Sequence, residues 1–268
     1  MNMKEKAAAL AAKGKYGFED LIDIMEILRS EDGCPWDREQ DHHTIRDDLI
    51  EETYEVIEAI DTDNPTLLRE ELGDVMLQVV FHARIEEEQG SFDIDDVSND
   101  ICVKLINRHP HVFGNTVVNN SEQVLSNWEK IKSDEKARKT VSDKLRSIPP
   151  MLPALMRATK VGKKASCFDF ENTEAVMDKL AEEMIEVSEA IDCANEANIE
   201  EEIGDLLLTV TSLCRKLGVN AETALNHATD KFIDRFEKIE KVVLEHGKDI
   251  NSMEMPELDA IWDKIKHN

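Results

Sequence analysis

Apolar residues recur along the chain at spacings of three and four, the period that places side chains on one face of an α-helix. The first clear instance is Phe18, Leu21, Ile22, Met25 and Leu28. No stretch of four or more residues shows the apolar–polar alternation of a strand between turn residues. The pattern therefore predicts an all-α fold.

Capping residues predict where several helices begin and end. Thr44 is a suitable N-cap for a helix that ends near Asp61. Asn64 and Pro65 fit the N-cap and first position of the next helix, which ends near Gly90. Two further helices are predicted over residues 95–108 and 122–136.

The second half of the chain repeats the first. The segment 49–61 (Leu-Ile-Glu-Glu-Thr-Tyr-Glu-Val-Ile-Glu-Ala-Ile-Asp) reappears at 180–192, and Glu-Glu-Leu-Gly-Asp at 70–74 reappears at 201–205 with Ile for Leu. Both blocks are displaced by the same 131 residues, the offset from Glu52 to Glu183. An internal repeat of this kind indicates two copies of one helical domain.

A proline cluster separates the two copies. Three of the seven prolines lie within residues 149–153, where they prevent a continuous helix, and a polar stretch precedes them. We therefore predict a first domain over 1–140, a linker over 141–153 and a second domain over 154–268.

The composition argues against several classes of function. A chain of 268 residues is long enough for two cores. The formal charge of −26 argues against a nucleic-acid partner, which requires a positive surface. No apolar run approaches the length of a membrane span, so no membrane partner is expected. Five cysteines without a Cys-x-x-Cys pair are typical of a reduced, cytoplasmic protein.

The repeated blocks carry acidic residues at helical spacing. Residues three apart on a helix share a face, so Glu183 projects with Glu186, and Glu202 projects with Asp205. Fifteen residues separate the two pairs, enough for one helix to end and the next to return beside it. The first copy offers the corresponding set Glu52, Glu55, Glu71 and Asp74.

Carboxylates brought together in this way repel one another unless a cation offsets their charge. Oxygen ligands suit the hard cations Mg²⁺ and Mn²⁺, so we predict Mg²⁺ as the cofactor, with Mn²⁺ as the other possibility. Gly73 and Gly204 lie between the acidic residues, although glycine costs about 1 kcal/mol within a helix. A small residue there would allow close approach of either a neighbouring helix or a substrate.

Basic and aromatic residues accompany the acidic pattern. Lys231 and Arg235 share a helix face and fit either a phosphate site or a charged surface. Trp262 fits a ligand pocket or a core position, and Lys179, one turn before Glu183, could also face the site. The first copy has Lys104, Arg108 and Trp128 at the related positions, and Asp48 where Lys179 stands.

These motifs resemble a known group of enzymes. Glu-Glu-x-x-Glu followed by Glu-x-x-Asp resembles the all-α nucleoside triphosphate pyrophosphohydrolase superfamily. Gly-Cys-Pro-Trp-Asp at 33–37, Arg-His-Pro-His-Val-Phe-Gly at 108–114 and Trp-x-Lys-Ile-Lys at 262–266 resemble its MazG family. The resemblance implies two tandem helical-bundle domains and a homodimer formed through helices. It also implies hydrolysis of many ribo- and deoxyribonucleoside triphosphates to the monophosphate and pyrophosphate.

The resemblance implies roles for residues of the second copy. The metal ligands would be Glu183, Glu186, Glu202 and Asp205. The nucleotide-binding residues would be Lys179, Glu183, Asp205, Lys231, Arg235 and Trp262. The first copy keeps a possible second site composed of Glu52, Glu55, Glu71, Asp74, Lys104, Arg108 and Trp128.

Glu182, directly before the first predicted ligand, is our candidate for the catalytic residue that orients or deprotonates the attacking water. No P-loop motif is present in the sequence.

Three alternatives remain open at this point. The first is a narrower dUTP- or dCTP-type, or house-cleaning, pyrophosphohydrolase. The second is a non-enzymatic helical adaptor. The third, a di-iron bundle, requires two Glu-x-x-His motifs, and the sequence offers only Glu39 to His42.

Overall fold

The structure, a computed structural model, describes residues 2–135, 140–193 and 195–266, together with every side chain in these ranges except those of 134 and 135. Across the described residues it contains α-helices, 3₁₀ turns and loops but no strand, which confirms the all-α prediction. The chain divides into two compact units, Met1–Lys132 and Ser133–Asn268. None of the described helices combines the length and apolarity needed to cross a bilayer.

The first unit is built from eight helices. In chain order they are α1 (Met3–Ala11), α2 (Phe18–Arg29), α3 (Pro35–Glu39), α4 (Arg46–Asp61), α5 (Pro65–Gln89), α6 (Ile94–Arg108), α7 (Pro110–Phe113) and α8 (Ser121–Glu135). The boundary between the units falls inside α8, and its predicted end at Lys136 lies outside the described residues.

Helices α4 and α5 form a hairpin that carries the acidic residues of the first copy. The predicted cap of α5 is confirmed, because the Asn64 side chain accepts hydrogen bonds from the backbone N–H groups of Thr66 and Leu67, both at 3.2 Å. The predicted cap of α4 is wrong. The side chain of Thr44 is used by the preceding turn, where it accepts from the Asp41 backbone N–H at 2.9 Å, and Ile45 takes the capping position.

Helix α2 packs against α5, and the two helices contribute to a core of buried apolar residues. The core cluster comprises Met25, Ile45, Val80, Phe81 and Ile85. The turn after α2 requires glycine at position 33, because a Cβ there would lie only 2.2 Å from the Ile27 carbonyl oxygen.

The second unit repeats the hairpin. Its helices are α9 (Val141–Arg146), α10 (Ala154–Lys164), α11 (Thr173–Asp192), α12 (Glu196–Lys216), α13 (Ala221–Glu245) and α14 (Met255–Lys266), with 3₁₀ turns at Ser166–Phe168 and Ile250–Ser252. Helices α11 and α12 pair as α4 and α5 do, and α10 packs on α12 as α2 packs on α5.

The segment predicted as a linker, 141–153, holds helix α9. Thr140 caps this helix, since its hydroxyl accepts from the Asp143 backbone N–H at 3.0 Å. Ile148 is buried, so the segment is anchored by apolar packing in the second unit. Part of the polar stretch before it, residues 136–139, lies outside the described residues.

Candidate functional site

The second copy brings three carboxylates together on the α11–α12 hairpin. Glu183 and Glu186 lie one turn apart on α11, and Glu202 lies on α12. One oxygen from each lies within 4.8 Å of the others, and we call this trio the second cluster. The spacing of three residues on α11 and the side-by-side packing of the two helices produce the convergence.

The first copy builds the same arrangement on the α4–α5 hairpin. Glu52, Glu55 and Glu71 each place one carboxylate oxygen within 4.8 Å of the others, and we call this trio the first cluster. The equivalent trios in the two copies show that the repeat in sequence is also a repeat in side-chain geometry.

The fourth acidic residue of each set lies beside its cluster. The charge of Asp74 contributes to raising the pKa values of Glu52 and Glu71. The charge of Asp205 contributes in the same way to the pKa of Glu202. Each aspartate is therefore close enough to act on the cluster electrostatically, while the tight three-oxygen groups are formed by the glutamates.

Burial and repulsion both raise pKa values in the first cluster. Burial is the main cause of the raised pKa of Glu52, followed by the charges of Asp74 and Glu55. Burial also dominates at Glu71, which is 7% exposed, and a hydrogen bond with Glu55 adds to the rise in its pKa. A nearby cation would relieve this unfavourable concentration of negative charge.

The second cluster already contains a positive charge. Nζ of Lys179 lies 3.0 Å from Glu183, 2.7 Å from Glu182 and 3.7 Å from Glu186. These contacts raise the pKa of Lys179, with the hydrogen bond to Glu182 as the largest cause. Burial and the charge of Glu186 nevertheless raise the pKa of Glu202.

One oxygen of the second cluster has no partner among the described residues. Oε2 of Glu183 is buried and accepts no hydrogen bond from them, although the Glu183 side chain is almost completely enclosed. A buried carboxylate oxygen without a donor is costly, and a divalent cation would satisfy it. The donor set, made only of carboxylate oxygens, fits Mg²⁺ or Mn²⁺.

Glu182, the candidate catalytic residue, is exposed on α11 and accepts a hydrogen bond from Lys179. The ion pair holds its carboxylate at the edge of the second cluster. In the first copy Glu51 precedes the cluster, but Asp48 stands at the position of Lys179, so no lysine from that position pairs with it.

The basic and aromatic residues pair with each other in both copies. The guanidinium of Arg235 lies over the ring of Trp262, 5.7 Å from its centroid, and Arg108 lies over Trp128 at 5.2 Å. Lys104 and Lys231 are exposed. A cation–π contact of this type occurs in each half, so the two motifs share a structural role.

A cavity of about 710 Å³ opens beside the second cluster. Lys179, Glu183 and Asp205 line it together with residues of α10, α12 and the turn at 165–170. Lys231, Arg235 and Trp262 do not contribute to its described lining. Three of the six predicted nucleotide-binding residues thus line the cavity beside the carboxylates, and the other three lie outside its described lining.

Sequence reasoning missed Asp169 and Arg215, which also line this cavity. Arg215 of α12 donates two hydrogen bonds to Asp169, one of them at 2.7 Å, and Lys216 also pairs with Asp169 at 3.0 Å. These bonds hold the pKa of Asp169 well below its usual range, with Arg215 as the largest cause. Gly162 makes room for the pair, since a Cβ there would lie 3.2 Å from Nε of Arg215.

The glycines between the acidic residues have open surroundings. A Cβ built at Gly73 or Gly204 would meet no described atom within 4 Å. Close packing against another helix of the same chain therefore does not explain either glycine among the described residues.

Comparison with known proteins adds a family to this geometry. The model of the MazG nucleotide pyrophosphohydrolase domain matches residues 40–113 and again residues 171–239. The two matches contain the two carboxylate clusters. The chain belongs to the MazG family. It is thus an enzyme of the pyrophosphohydrolase class, as the resemblance of its motifs implied, and the adaptor alternative is wrong.

Relatives of this MazG-family chain align over most of its length. A protein from Thermotoga maritima, named nucleoside triphosphate pyrophosphohydrolase/pyrophosphatase MazG, is 45% identical over 93% of this chain and 95% of its own length. The nucleoside triphosphate pyrophosphohydrolase of Escherichia coli K12 is 42% identical over 92% and 95%. Bacillus subtilis YabN is 41% identical over 94% of this chain but only 52% of its own length.

Proposed function

We propose that the second copy hydrolyses nucleoside triphosphates of broad base and sugar type to the nucleoside monophosphate and pyrophosphate, with Mg²⁺ as the cofactor and Mn²⁺ as a substitute. One observation carries the proposal. Glu183, whose oxygen has no described partner, lines a cavity large enough for a nucleotide together with Asp205. The names of the relatives from Thermotoga maritima and Escherichia coli supply the reaction.

Glu183, Glu186, Glu202 and Asp205 would hold the cation. A cation held by these residues would neutralise charge along the triphosphate and lower the pKa of the attacking water. The protein contributes position, because the hairpin fixes the carboxylates before substrate arrives.

Lys179 and Glu182 would act at the edge of this site. Lys179 is one turn from Glu183 and remains protonated, so its ammonium can donate to a phosphate oxygen when a divalent cation occupies the cluster. Glu182 would then lose part of its pairing with Lys179 and accept a hydrogen bond from the attacking water.

Lys231, Arg235 and Trp262 stay predicted contacts for the phosphates and the nucleoside. Arg235 is held against Trp262, and Lys231 is exposed on the same helix. Lys231→Ala and Arg235→Ala variants with unchanged activity would remove these two residues from the proposal.

A homodimer in the cytoplasm belongs to the same proposal. Helices α12 and α13 expose large apolar side chains that a soluble monomer rarely leaves in contiguous groups. These include Ile203, Leu207, Phe232, Ile233 and Phe236. All five cysteines are free thiols, as a reducing compartment favours. Light scattering of the purified protein tests the dimer.

The decisive experiment compares matched variants of the two copies. We expect wild-type protein with Mg²⁺ to release pyrophosphate from all eight common ribo- and deoxyribonucleoside triphosphates. Glu186→Ala should lower the rate by about 100-fold or more, since it removes a ligand of a cation that contributes several kcal/mol. Glu55→Ala should retain most activity.

Orthophosphate is measured in parallel, because the name of the Thermotoga maritima relative includes a pyrophosphatase. Loss of activity only in Glu55→Ala would assign catalysis to the first copy instead. Activity restricted to one or two nucleotides would favour the narrower enzyme, and equal activity with EDTA would exclude the role of the cation.

A further inference from the structure

One stretch of the second unit is strongly basic, although the chain as a whole is strongly acidic. Residues 144–168 contain six basic residues and no acidic residue. The whole chain, by contrast, has 58 acidic residues and a formal charge of −26. Four of the six basic residues lie on α10, namely Arg157, Lys160, Lys163 and Lys164. Such a concentration of one sign of charge creates a local field that opposes the field of the rest of the chain.

The charges on α10 are not offset by neighbouring acids. Arg157, Lys160 and Lys163 are exposed, and Lys164 is half-buried. None of the four forms an ion pair with a described residue. Arg157, Lys160 and Lys164 follow one another at spacings of three and four, so they share a helix face, which we call the basic stripe. The positive charge of this stripe is therefore available to an anion in solution.

The basic stripe lies beside the cavity of the second copy. Val161, Gly162 and Ala165 of α10 belong to the lining of this cavity. Arg157 and Lys164 lie four and three residues from Val161, so both are its neighbours on the helix surface. Neither is part of the described lining. Helix α10 thus carries positive charge next to the cavity, not within it.

The equivalent helix of the first copy carries the opposite charge. Helix α2 packs on α5 as α10 packs on α12. Its only basic residue, Arg29, is paired with Glu88. The acidic residues of α2 are Glu19, Asp20, Asp23 and Glu26. The two carboxylate clusters are therefore flanked by helices of opposite sign.

A nucleoside triphosphate that approaches this protein meets a repulsive field. Its phosphates keep a net negative charge when one Mg²⁺ is bound, and the formal charge of the chain is −26. Repulsion between exposed charges acts over about 10 Å at about 0.1 M salt. A local positive surface beside a binding site counters this repulsion, and such focusing raises association rates by about 10- to 1000-fold.

We propose that the basic stripe guides the polyanionic substrate into the cavity of the second copy. This inference rests on the proposed hydrolysis of nucleoside triphosphates, and it adds positioning residues that act through their field before the substrate is bound. The stripe attracts the phosphates, so substrates with different bases and sugars are guided alike. The first copy has a carboxylate cluster but an acidic α2, so the same substrate should approach it more slowly.

The test compares two charge-reversing variants of the full-length protein. Arg157→Glu/Lys160→Glu reverses two exposed charges of the basic stripe. Lys238→Glu/Lys241→Glu is the matched control, because these α13 lysines are also exposed, also three residues apart and also without an ion pair to a described residue. They do not belong to the described lining of the cavity. Both variants change the net charge equally, and circular dichroism and the melting temperature confirm that each is folded.

The probe is α,β-methylene adenosine triphosphate with a fluorescent label on the ribose, which cannot be cut between its first two phosphates. Its association with each protein in the presence of Mg²⁺ is followed by stopped-flow fluorescence. The stripe variant should associate about tenfold more slowly at low salt. This deficit should shrink to within about twofold at about 1 M salt, where charges are screened beyond about 3 Å. The control should stay within about twofold of wild type throughout.

Steady-state kinetics provide the second readout. With adenosine triphosphate as the substrate, the stripe variant should lose kcat/KM by the same factor at low salt and keep its kcat, because only the approach of the substrate is changed. A structural role of α10 would instead change kcat and would not depend on salt.

Three results would overturn the guidance. They are an unchanged association rate in the folded stripe variant, an equal loss in the control, or a loss that stays undiminished at high salt. Association of the analogue is measured without turnover, so it tests the guidance by itself. A wild-type protein that binds the analogue with this salt dependence but releases no pyrophosphate would contradict the proposed function alone.

Discussion

The two copies share a carboxylate-bearing hairpin and differ in what surrounds it. The first cluster, on α4 and α5, has Asp48 at the position where the second cluster, on α11 and α12, has Lys179. Beside the first cluster α5 is packed into a core, whereas beside the second α12 borders a cavity. Ligand residues alone therefore do not decide which copy acts on a nucleotide. The neighbouring charge and the neighbouring space are the two differences on which the proposed assignment to the second copy rests.

Substitutions at Lys179 and at its counterpart Asp48 test the difference in charge between the copies. Of the comparisons between the two copies below, this one has the largest expected effect. Lys179→Met removes a competing ammonium from the second cluster and should tighten nucleotide-free Mg²⁺ or Mn²⁺ binding about tenfold. Asp48→Lys introduces a competing charge in the first copy and should weaken its cation binding by a similar factor. Calorimetric titration measures both.

Single clusters are isolated by combining these changes with cluster variants. Lys179→Met is measured in a Glu55→Ala background, and Asp48→Lys in a Glu186→Ala background. Each double variant is compared with its own single-variant background. Equal cation affinity within both pairs would show that the lysine does not distinguish the copies.

A histidine pair in the first unit predicts that the stability of this unit depends on pH. Nδ1 of His42 lies 2.8 Å from Nδ1 of His82, and Nε2 of His42 lies 2.7 Å from Glu86. Burial is the main cause that lowers the pKa of His82, and the charge of His42 adds to it. The second copy has Leu213 at the position of His82.

The direction of the pH effect follows from that lowered pKa. Below the ordinary histidine pKa of 6.5, the unfolded chain takes up a proton that folded His82 resists, so stability falls as the pH decreases. We expect the first unit to lose stability between pH 7 and pH 5. His82→Leu should reduce this loss, as measured by hydrogen exchange of α5. An unchanged pH dependence in His82→Leu would refute the assignment.

Alanine at the two equivalent glycines should give the smallest effect. Because a Cβ at Gly73 or Gly204 meets open space, Gly73→Ala and Gly204→Ala should each stabilise the monomeric chain by about 0.5–1 kcal/mol. Thermal unfolding measures both. Destabilisation in one copy only would reveal a close neighbour there, such as a second chain.

The sequence alone was sufficient to predict the helices and the repeated acidic pattern. The period of the apolar residues and the caps at Asn64 and Gly90 are local signals, and α5 begins and ends where they indicate. Thr44 failed as a cap because Asp41 organises the turn before α4, a choice between two local hydrogen-bonding patterns.

The cavity wall could not be predicted in the same way. Asp169 and Arg215 are 46 residues apart, and their ion pair depends on how the turn after α10 folds over α12. His42 and His82 meet across a similar distance in sequence. One signal was available, since comparing α5 with α12 position by position shows small residues in the second copy where the first has Gln78 and Phe81.

The unbroken offset between the copies has a consequence for how such proteins diversify. The acidic residues of α5 and α12 are related by the same offset as those of α4 and α11, so they keep their register in both copies. Positions further along α5 and α12 differ in side-chain size between the copies. Under the proposed function, substrate range and cation binding would be separable traits of one helix. A duplicated gene would then alter substrate range through one or two codons and leave cation binding intact.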